Sequence, residues 1–295
     1  MREAPLDPFA ILAALGLATP TRATPVLGGA DTALWRVEAH HQVYALRVLR
    51  PDQAGQARRE LAAMTAASAG GVPAPGVHVA GTWHDHPVIV LEWCPGHTLF
   101  QAIERDPGHA HQLGLAFGHA LAAIHALPAP AALAGATASW IEWASPDAAL
   151  HARLLDLTGR RQSLLHLDYH PLNVLVDGQR VTAVLDWANA RSGDPRADLA
   201  RTISLLSLAP VAPELPPAAW AATRRALITG TRAGYRSVAG PPRQMAPFLA
   251  WAGLVMERDL APRLGRLDLP WLTAAYLDRV RAWTAAWRAR AGLGG

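Results

Sequence analysis

The sequence predicts an α+β fold of two lobes: a small N-terminal lobe of antiparallel strands with one helix, and a larger, mainly helical C-terminal lobe. Strand-like runs and a single long helical window fill the first 92 residues. A turn-rich break follows at residues 92–96, where Pro and Gly interrupt regular structure. Beyond it the pattern is helical, apart from one short hairpin. We therefore expect lobes at 1–92 and 98–295, joined by a hinge at 93–97.

The N-terminal elements follow from residue type and spacing. Residues 7–17 predict a short helix that packs on the start of the domain. The Ala-rich window 53–68 predicts the long helix, because Ala has the highest helix propensity, and Gly70-Gly71 ends it. Apolar runs typical of strands occur at four places: 33–38, 42–49, 77–82 and 87–92.

The C-terminal lobe combines helices with one hairpin. Helical windows occur at five places: 109–126, 196–208, 216–236, 243–259 and 270–290. The runs 173–176 and 181–185 are short and apolar, with a turn at Asp177-Gly178 between them, which predicts a β-hairpin. Such a hairpin returns Asp186 to the end where Asn173 begins the first strand.

Composition limits the class of protein. The chain has 295 residues, is 51% hydrophobic and contains a single cysteine, Cys94. It can therefore bury a core, cannot form an internal disulfide, and suits a reducing compartment. No apolar run reaches the ~18 residues of a membrane span, and no secretory signal is evident. We expect a cytoplasmic protein without a membrane partner, and its oligomeric state stays open.

The charge pattern argues against a nucleic-acid partner. All 27 basic residues are arginine, and the net charge is +4. They are scattered, with no basic run and no base-stacking motif beside them, so a solvated surface explains them. A basic patch on the C-terminal helices is the alternative, and steep salt dependence of DNA or RNA binding would identify it.

One segment concentrates chemically competent side chains. Asp168 and Asn173 are five residues apart in a loop that Pro171 keeps from forming a regular helix, and Asp186 follows the hairpin. The predicted hairpin makes these three polar groups converge, as a cation-assisted phosphoryl transfer requires.

Spaced motifs in this region resemble a known family. In chain order they are His166-x-Asp168-x-His170-Pro171-x-Asn173, Leu185-Asp186-Trp187, and Gly193-Asp194-Pro195-x-x-Asp198-Leu199-Ala200. This order is similar to that of the aminoglycoside phosphotransferase and choline kinase family, which has a protein-kinase-like fold. The resemblance implies an enzyme that moves the γ-phosphoryl group of ATP, or of GTP, to a hydroxyl of a small antibiotic or metabolite.

The resemblance also implies roles for the catalytic segment. Asp168 would accept or orient the proton of the substrate hydroxyl, and Asn173 and Asp186 would hold Mg²⁺. Asp198 would anchor the catalytic loop from the next helix. The alternative is that Asp168 and Asp186 only cap strands as turn residues.

Two histidines in the loop allow a second interpretation. With two carboxylates nearby, His166 and His170 could form a Zn²⁺ site. The family motif contains both histidines for structural reasons, so we expect them to brace the loop by hydrogen bonds. Leu167 replaces the Gly that is common between His and Asp in this family.

In the N-terminal lobe the resemblance places a nucleotide site. Gly28 and Gly29, with Asp31 and Thr32 beside them, resemble the loop that covers the phosphates. Arg47 occupies the third-strand position of the usual phosphate-binding Lys, and Glu60 matches its helix partner.

Arg47 is the departure from the family pattern. A guanidinium can bind phosphate, but it is wider and flatter than an ammonium. The alternatives are therefore a pseudokinase or nucleotide-binding scaffold with an impaired site, or a plain surface ion pair between Arg47 and Glu60.

The break after Leu91 resembles the hinge of the family. Backbone groups from Glu92 to Cys94 would bond the edge of the nucleotide base. The Cys94 side chain itself is expected to be a buried small apolar group rather than a nucleophile.

The substrate is constrained only by regional charge. From Leu199 onward there are 13 arginines and five acidic residues, a net charge of +8. A polycationic aminoglycoside favours a carboxylate-rich pocket, so we expect instead a neutral, anionic or weakly cationic hydroxylated molecule. Glu257 and Asp259 are candidates for contacting an amine. Six tryptophans are candidates for lining the cleft: Trp140, Trp143, Trp251, Trp271, Trp283 and Trp287.

Overall fold

The computed structural model of the chain describes residues 6–26, 33–39, 42–133, 140–144, 147–158, 162–210 and 216–293. The predicted phosphate-covering loop, with Gly28 and Gly29, lies outside the described residues, as do Asp31 and Thr32.

The N-terminal lobe is a five-stranded antiparallel sheet in the order β1-β2-β3-β5-β4. Helix α1 (Pro8–Ala14) precedes the sheet, and helix α2 (Ala54–Ala69) follows its third strand. The strands are β1 (Arg22–Pro25), β2 (Ala33–Ala39), β3 (Gln42–Val48), β4 (Val77–Trp83) and β5 (His86–Glu92).

Strand β5, which lies between β3 and β4, is buried on both faces, and its side chains alternate between two cores. Val88 and Val90 pack with Ile11 of α1, whereas Ile89 and Leu91 belong to the large core shared with α2 and the C-terminal lobe. Because successive side chains of a strand point to opposite faces, one apolar run joins both layers. The apolar run 87–92 therefore places the sheet between α1 and the rest of the molecule.

The C-terminal lobe is built from helices around two small sheets. Its helices are α3 (Leu99–Arg105), α4 (Ala110–Ala126), α5 (Ala148–Leu157), α6 (Pro195–Leu208), α7 (Pro217–Ala239), α8 (Met245–Leu260) and α9 (Ala274–Arg290). Its strands are β6 (His97–Thr98), β7 (Ser163–Leu165), β8 (Val174–Asp177), β9 (Arg180–Val184) and β10 (Arg191–Gly193), which pair as β6-β8-β9 and β10-β7. Among the described residues no helix combines the length and apolar character needed to cross a membrane.

The predicted helices and strands lie within about four residues of their observed bounds, but four short strands and the helices α3 and α5 were not predicted. Strands β1, β6, β7 and β10 have two to four residues each and depend on distant pairing partners. Helix α3 does have a local sequence signal: Thr98 and Gln101 form a capping box, in which each side chain accepts the other's backbone N–H. The division at residues 93–97 stays a prediction.

The hairpin of β8 and β9 has a slightly different turn from the predicted one. Asp177 pairs with Arg180, so Gly178 and Gln179 occupy the central positions rather than Asp177 and Gly178. Gly178 has φ of +57°, a left-handed conformation that glycine adopts without a Cβ clash.

Helices α4 and α7 pack closely through glycines at i, i+4 spacing. Gly114 of α4 meets Gly230 of α7, Gly118 lies against the backbone of Thr231, and Gly234 lies against the backbone of Leu115. A Cβ built on Gly118 would lie 2.1 Å from the Thr231 carbonyl oxygen. The obstacle is backbone, which cannot swing aside as a flexible side chain can. This contact therefore sets the distance between the two helices.

We expect Gly118→Ala to lower the free energy of unfolding by about 3 kcal/mol, because the new methyl group must push the two helix backbones apart. Urea denaturation monitored by circular dichroism measures the loss. Gly55→Ala is the matched control: its Cβ would meet only the end of the Arg59 side chain, at 3.4 Å. That helical substitution should be neutral or stabilise the protein by about 0.5 kcal/mol. Equal effects of the two substitutions would contradict the packing argument.

Candidate active site

The hairpin brings the predicted catalytic segment together. The Leu185 N–H donates to the Asn173 carbonyl at 2.8 Å, and Val174 pairs with Val184. Asp186, directly after β9, is therefore adjacent to the start of β8, as the sequence predicted. Asp186 has φ of +60° and an exposed side chain, at the beginning of a single 3₁₀ turn (Trp187–Asn189).

A buried carboxylate holds the loop that carries Asp168. Asp198, on α6, accepts the backbone N–H of His166 at 2.6 Å and that of Leu167 at 2.9 Å. Its Oδ2 also lies 3.0 Å from His125 Nε2, and His125 Nδ1 lies 2.9 Å from the Tyr235 hydroxyl. Asp198 is completely buried. The predicted anchoring role of Asp198 is confirmed by these contacts.

The Asp198 network favours the charged carboxylate. Burial alone would raise the pKa of Asp198, but the hydrogen bond and charge of His125, together with His166, outweigh burial and hold it below its usual range. The carboxylate therefore stays ionised at neutral pH and accepts both loop amides.

The same network explains the unusual residue between His166 and Asp168. Leu167 has φ of +61°, which costs a side chain with a Cβ about 1 kcal/mol or more and which Gly adopts freely. Its N–H donates to Asp198, and its side chain is completely buried. Leu167 thus keeps a conformation that suits Gly, with the apolar core and Asp198 stabilising it.

The loop histidines have structural contacts. His166 Nε2 lies 2.9 Å from the Leu185 carbonyl, and its Nδ1 accepts the Asp168 N–H at 3.3 Å, so His166 joins the loop to the hairpin. His170 Nδ1 accepts the Leu172 N–H at 3.3 Å, and burial lowers its pKa despite the attraction of Asp168. Within the described residues no three His, Cys, Asp or Glu side chains form a metal cluster. The Zn²⁺ interpretation therefore has no support here.

Asp168 and Asn173 face each other within the loop. Asn173 Nδ2 donates to the Asp168 carbonyl at 3.1 Å, and no described residue donates to its Oδ1, which leaves that oxygen for a cation. The Asp168 side chain is a quarter exposed, with His170 Nε2 at 3.7 Å from its Oδ1. These carboxylate and amide oxygens are of the kind that Mg²⁺ takes in proteins.

Arg47 and Glu60 form an ion pair inside the molecule. Arg47 Nη1 contacts Glu60 Oε1; the Glu60 side chain is completely buried and that of Arg47 is 14% exposed. Burial raises the pKa of Glu60 more than Arg47 lowers it. Its second oxygen, Oε2, has no donor among the described residues. The alternative of a surface ion pair is therefore wrong.

Some backbone N–H groups of the hinge segment have hydrogen-bond partners within the protein, and others have none among the described residues. The N–H of Glu92 donates to Gly76 at 2.8 Å, and the N–H of Trp93 donates to Val43 at 3.1 Å. Among the described residues no partner binds the Cys94 amide, and the Cys94 thiol lies 3.9 Å from the Glu92 carbonyl. The Cys94 side chain is partly exposed rather than buried as expected. The burial that it has, with the nearby Glu92 charge, still raises the pKa of Cys94 to about 11, so its thiol is not a nucleophile at neutral pH.

A cavity of about 1010 Å³ lies between the lobes. Arg47 lines it from the N-terminal lobe, and Asp168 and Asp186 line it from the C-terminal lobe. The predicted site residues Glu60, Glu92, Cys94 and Asn173 are not part of this lining. The cavity also exposes side chains that sequence reasoning did not assign to the site, among them Arg201, Arg224 and Trp220. The net positive charge from Leu199 onward was the sequence signal that could have indicated arginines in the site.

Several expectations about the substrate cleft need correction. Of the six candidate tryptophans only Trp143 and Trp271 line the cavity, whereas Trp140 and Trp251 pack in the core. Asp259 does line it, but Arg201 and Arg258 already bind its two oxygens. Glu257 is bound by Arg281 at 2.6 Å. Neither carboxylate is therefore a free acceptor for an amine. The sequence did not reveal these arginine partners, because the pairs form between residues that only the fold brings together.

Comparison with known proteins places this site in a family. A family model described as "Phosphotransferase enzyme family" matches residues 22–241. That span is most of the chain and contains the loop, the hairpin and the Arg47–Glu60 pair. The chain belongs to this family. This membership supports the prediction that the protein is a small-molecule phosphotransferase. No curated protein matches the sequence significantly.

The protein shares its protein-kinase-like fold with several solved structures. Aminoglycoside phosphotransferase APH(4)-Ia is 19% identical, with a TM-score of 0.63, covering 97% of this chain and 98% of its own. The amicoumacin kinase hAmiN is 13% identical, with a TM-score of 0.67 and coverages of 97% and 94%. Macrolide 2'-phosphotransferase MphH from Brachybacterium faecium is 20% identical, with a TM-score of 0.53 and coverages of 94% and 97%.

We expect Asp198→Asn to lower the free energy of unfolding by about 3 kcal/mol at pH 7, because one amide N–H₂ must then face a loop N–H. The folded-state pKa of Asp198 is depressed, so its contribution is present above the unfolded pKa and is lost as pH falls. The difference between the two proteins should therefore shrink below about pH 4. Urea denaturation across pH tests this, with the exposed Asp52→Asn as control. A difference independent of pH would contradict the charged state.

Proposed function

We propose that this protein transfers the γ-phosphoryl group of ATP to a hydroxyl group of a small molecule. The observation that carries the proposal is that one cavity between the lobes is lined by Asp168, Asp186 and Arg47 together. Similar structures give further support: the APH(4)-Ia fold has been solved as a ternary complex with AMP-PNP and hygromycin B, and hAmiN with AMP-PNP, Ca²⁺ and Ami.

Asp168 is the proposed catalytic base. It lies in a loop whose backbone is held by Asp198, and its N–H is bound by His166. A carboxylate on a rigid loop can orient a substrate hydroxyl toward the phosphorus atom and accept its proton as the new P–O bond forms. The neutral His170 beside it adds no positive charge that would weaken this base.

Asn173 and Asp186 are the proposed ligands of Mg²⁺. They supply an amide oxygen and an exposed carboxylate on adjacent segments, and such hard oxygen donors fit a cation that takes its other ligands from phosphates and water. When bound, the cation would neutralise negative charge on the phosphates. The protein's contribution is to hold both ligands at one end of a paired hairpin.

The nucleotide contacts follow from both lobes. Arg47 is proposed to bind phosphates with the N–H groups that Glu60 does not use, since a guanidinium carries five donors. The Glu92 carbonyl and the Cys94 amide are proposed to bond the base edge, and Gly28 and Gly29 to cover the phosphates. A pseudokinase remains the second candidate, because Arg47 stands where the family carries Lys.

We expect Asp168→Asn to reduce phosphoryl transfer at least about 1000-fold while leaving nucleotide affinity nearly intact, since it removes the base and keeps the shape. Asp186→Ala should instead weaken Mg²⁺-dependent nucleotide binding itself. Calorimetric titration of ATP and GTP with and without Mg²⁺, with coupled assays of ADP release over a panel of hydroxylated acceptors, measures both.

Asp177→Asn is the matched control, because Asp177 lies at the far end of the same hairpin. It should change neither binding nor transfer. If Asp168→Asn turned over substrate like the unmodified protein, the proposed mechanism would be wrong.

The Arg47 site has its own test. If Arg47 is a working phosphate ligand, Arg47→Lys should change Mg-ATP affinity by no more than about threefold. Arg47→Met combined with Glu60→Gln, which removes both charges of the buried pair, should weaken it at least about tenfold. A large gain in affinity with Lys, or no Mg²⁺-dependent binding in the unmodified chain, would favour the pseudokinase.

A further inference from the structure

Arg201 is a buried cation with unused donors. It lies on α6, is 7% exposed and lines the interlobe cavity. Its Nη2 donates to Asp259 Oδ2 at 2.7 Å, whereas its Nε and Nη1 have no hydrogen-bond acceptor among the described residues. A buried charged donor without an acceptor costs free energy, so a group that supplies the acceptor would bind favourably here.

The protein supplies little negative charge to this side of the cavity. Asp259 is shared: its Oδ1 accepts Arg258 Nε at 3.0 Å while its Oδ2 accepts Arg201. Two arginines thus compete for one carboxylate and leave a net positive charge. Arg224 and Arg263 also line the cavity on the side formed by α6, α7, α8 and the turn after α8, which we call the wall. Asp259 is the only carboxylate among the described lining residues outside the segment from Asp168 to Asp186.

A second unused donor belongs to the same wall. Trp220 lines the cavity, is 4% exposed, and its Nε1 has no acceptor among the described residues. Trp271 and Tyr276 add an aromatic surface, with ring centroids 5.2 Å apart. The wall therefore combines hydrogen-bond donors and positive charge with apolar contact area.

The wall is connected directly to the catalytic loop. The hydroxyl of Thr202, the residue after Arg201, donates to the Tyr169 carbonyl at 3.1 Å, and Tyr169 follows Asp168. Arg201 and Asp168 line the same cavity. One cavity thus contains Arg201 and Asp168, and the helix that carries Arg201 is bonded to the loop that carries Asp168.

We propose that Arg201 and Trp220 form a subsite for an anionic group, a carboxylate or a phosphate, carried by the phosphoryl acceptor. The subsite builds on the proposed function and names the acceptor class: a hydroxylated molecule with one negatively charged end and an apolar or aromatic body. Charge-assisted bonds from a guanidinium to such a group are strong and directional. A polycationic acceptor would meet the same arginines unfavourably.

The first experiment uses four benzyl alcohols that differ at the para position. The probes are 4-(hydroxymethyl)benzoate, 4-(hydroxymethyl)phenyl phosphate, 4-methylbenzyl alcohol and 4-(aminomethyl)benzyl alcohol. Calorimetric titration into the full chain without nucleotide should give at least about tenfold tighter binding for one of the anions than for the neutral and cationic probes. Which anion binds more tightly distinguishes a carboxylate subsite from a phosphate subsite. If neither binds more tightly than the neutral probe, the proposal is wrong.

Two substitutions with opposite expected effects separate a ligand-binding role from a structural one. Arg201→Gln should weaken the preferred anion at least about tenfold and leave the neutral probe unchanged. Asp259→Asn removes the competing carboxylate and should tighten the same anion about threefold. If Arg201 served only to pair with Asp259, Asp259→Asn would not improve anion binding, and that result overturns the proposal even if Arg201→Gln fails to fold.

Arg281→Gln is the control, because Arg281 is exposed, pairs with Glu257 and Asp278, and does not line the cavity. It should leave anion binding unchanged. Mg-ATP titration and transfer assays on each variant keep the two proposals apart. If the protein prefers anions but transfers no phosphoryl group, the subsite is supported and the kinase function is refuted. If it transfers efficiently to neutral acceptors without preferring anions, the kinase function is supported and the subsite is refuted.

Discussion

The interaction on which the rest of the site depends is the pair of hydrogen bonds from the catalytic loop to Asp198. This buried carboxylate accepts two successive loop amides and is itself held by His125 of α4. It thus joins helix α6, helix α4 and the loop that carries Asp168. For the proposed function a rigid loop matters, because phosphoryl transfer depends chiefly on the position of the base and the cation ligands. Leu167 keeps a left-handed conformation because this anchor and the surrounding core hold it.

The cavity divides its charges between two tasks. Asp168 and Asp186 line the part next to the hairpin, where oxygen donors suit a divalent cation. Arginines line the wall of α6, α7 and α8, and Asp259 is bound between Arg201 and Arg258. The proposed function and the proposed anion subsite both require this separation, because carboxylates and guanidiniums in contact would neutralise each other.

The exclusive use of arginine in this chain has a structural consequence at Arg47. A guanidinium can bind Glu60 with one edge and keep further N–H groups for phosphate, whereas an ammonium presents a single point of charge. The pair is buried between β3 and α2, so breaking it would leave Glu60 as an unpaired buried carboxylate. Arg47 therefore connects sheet, helix and cavity whether or not its affinity for phosphate equals that of lysine.

The sequence by itself determined the two-lobed architecture, the long helices and strands, and the convergence of Asp168, Asn173 and Asp186. These features follow from local periodicity and from a hairpin that spans few residues, so short-range rules suffice. The short strands β1, β6, β7 and β10 escaped prediction, since their stability comes from partners far along the chain.

Only the tertiary structure decided which charged groups are paired and which are open. Asp259 was predicted to contact an amine, yet arginines from α6 and α8 bind it, and Arg201 and Trp220, each with an unused donor, line one cavity from separate helices. Composition recorded the excess of arginine but could not place it. The packing of the helices determines which charged side chains are buried and which are paired. The packing therefore decides where the excess positive charge is available to a ligand.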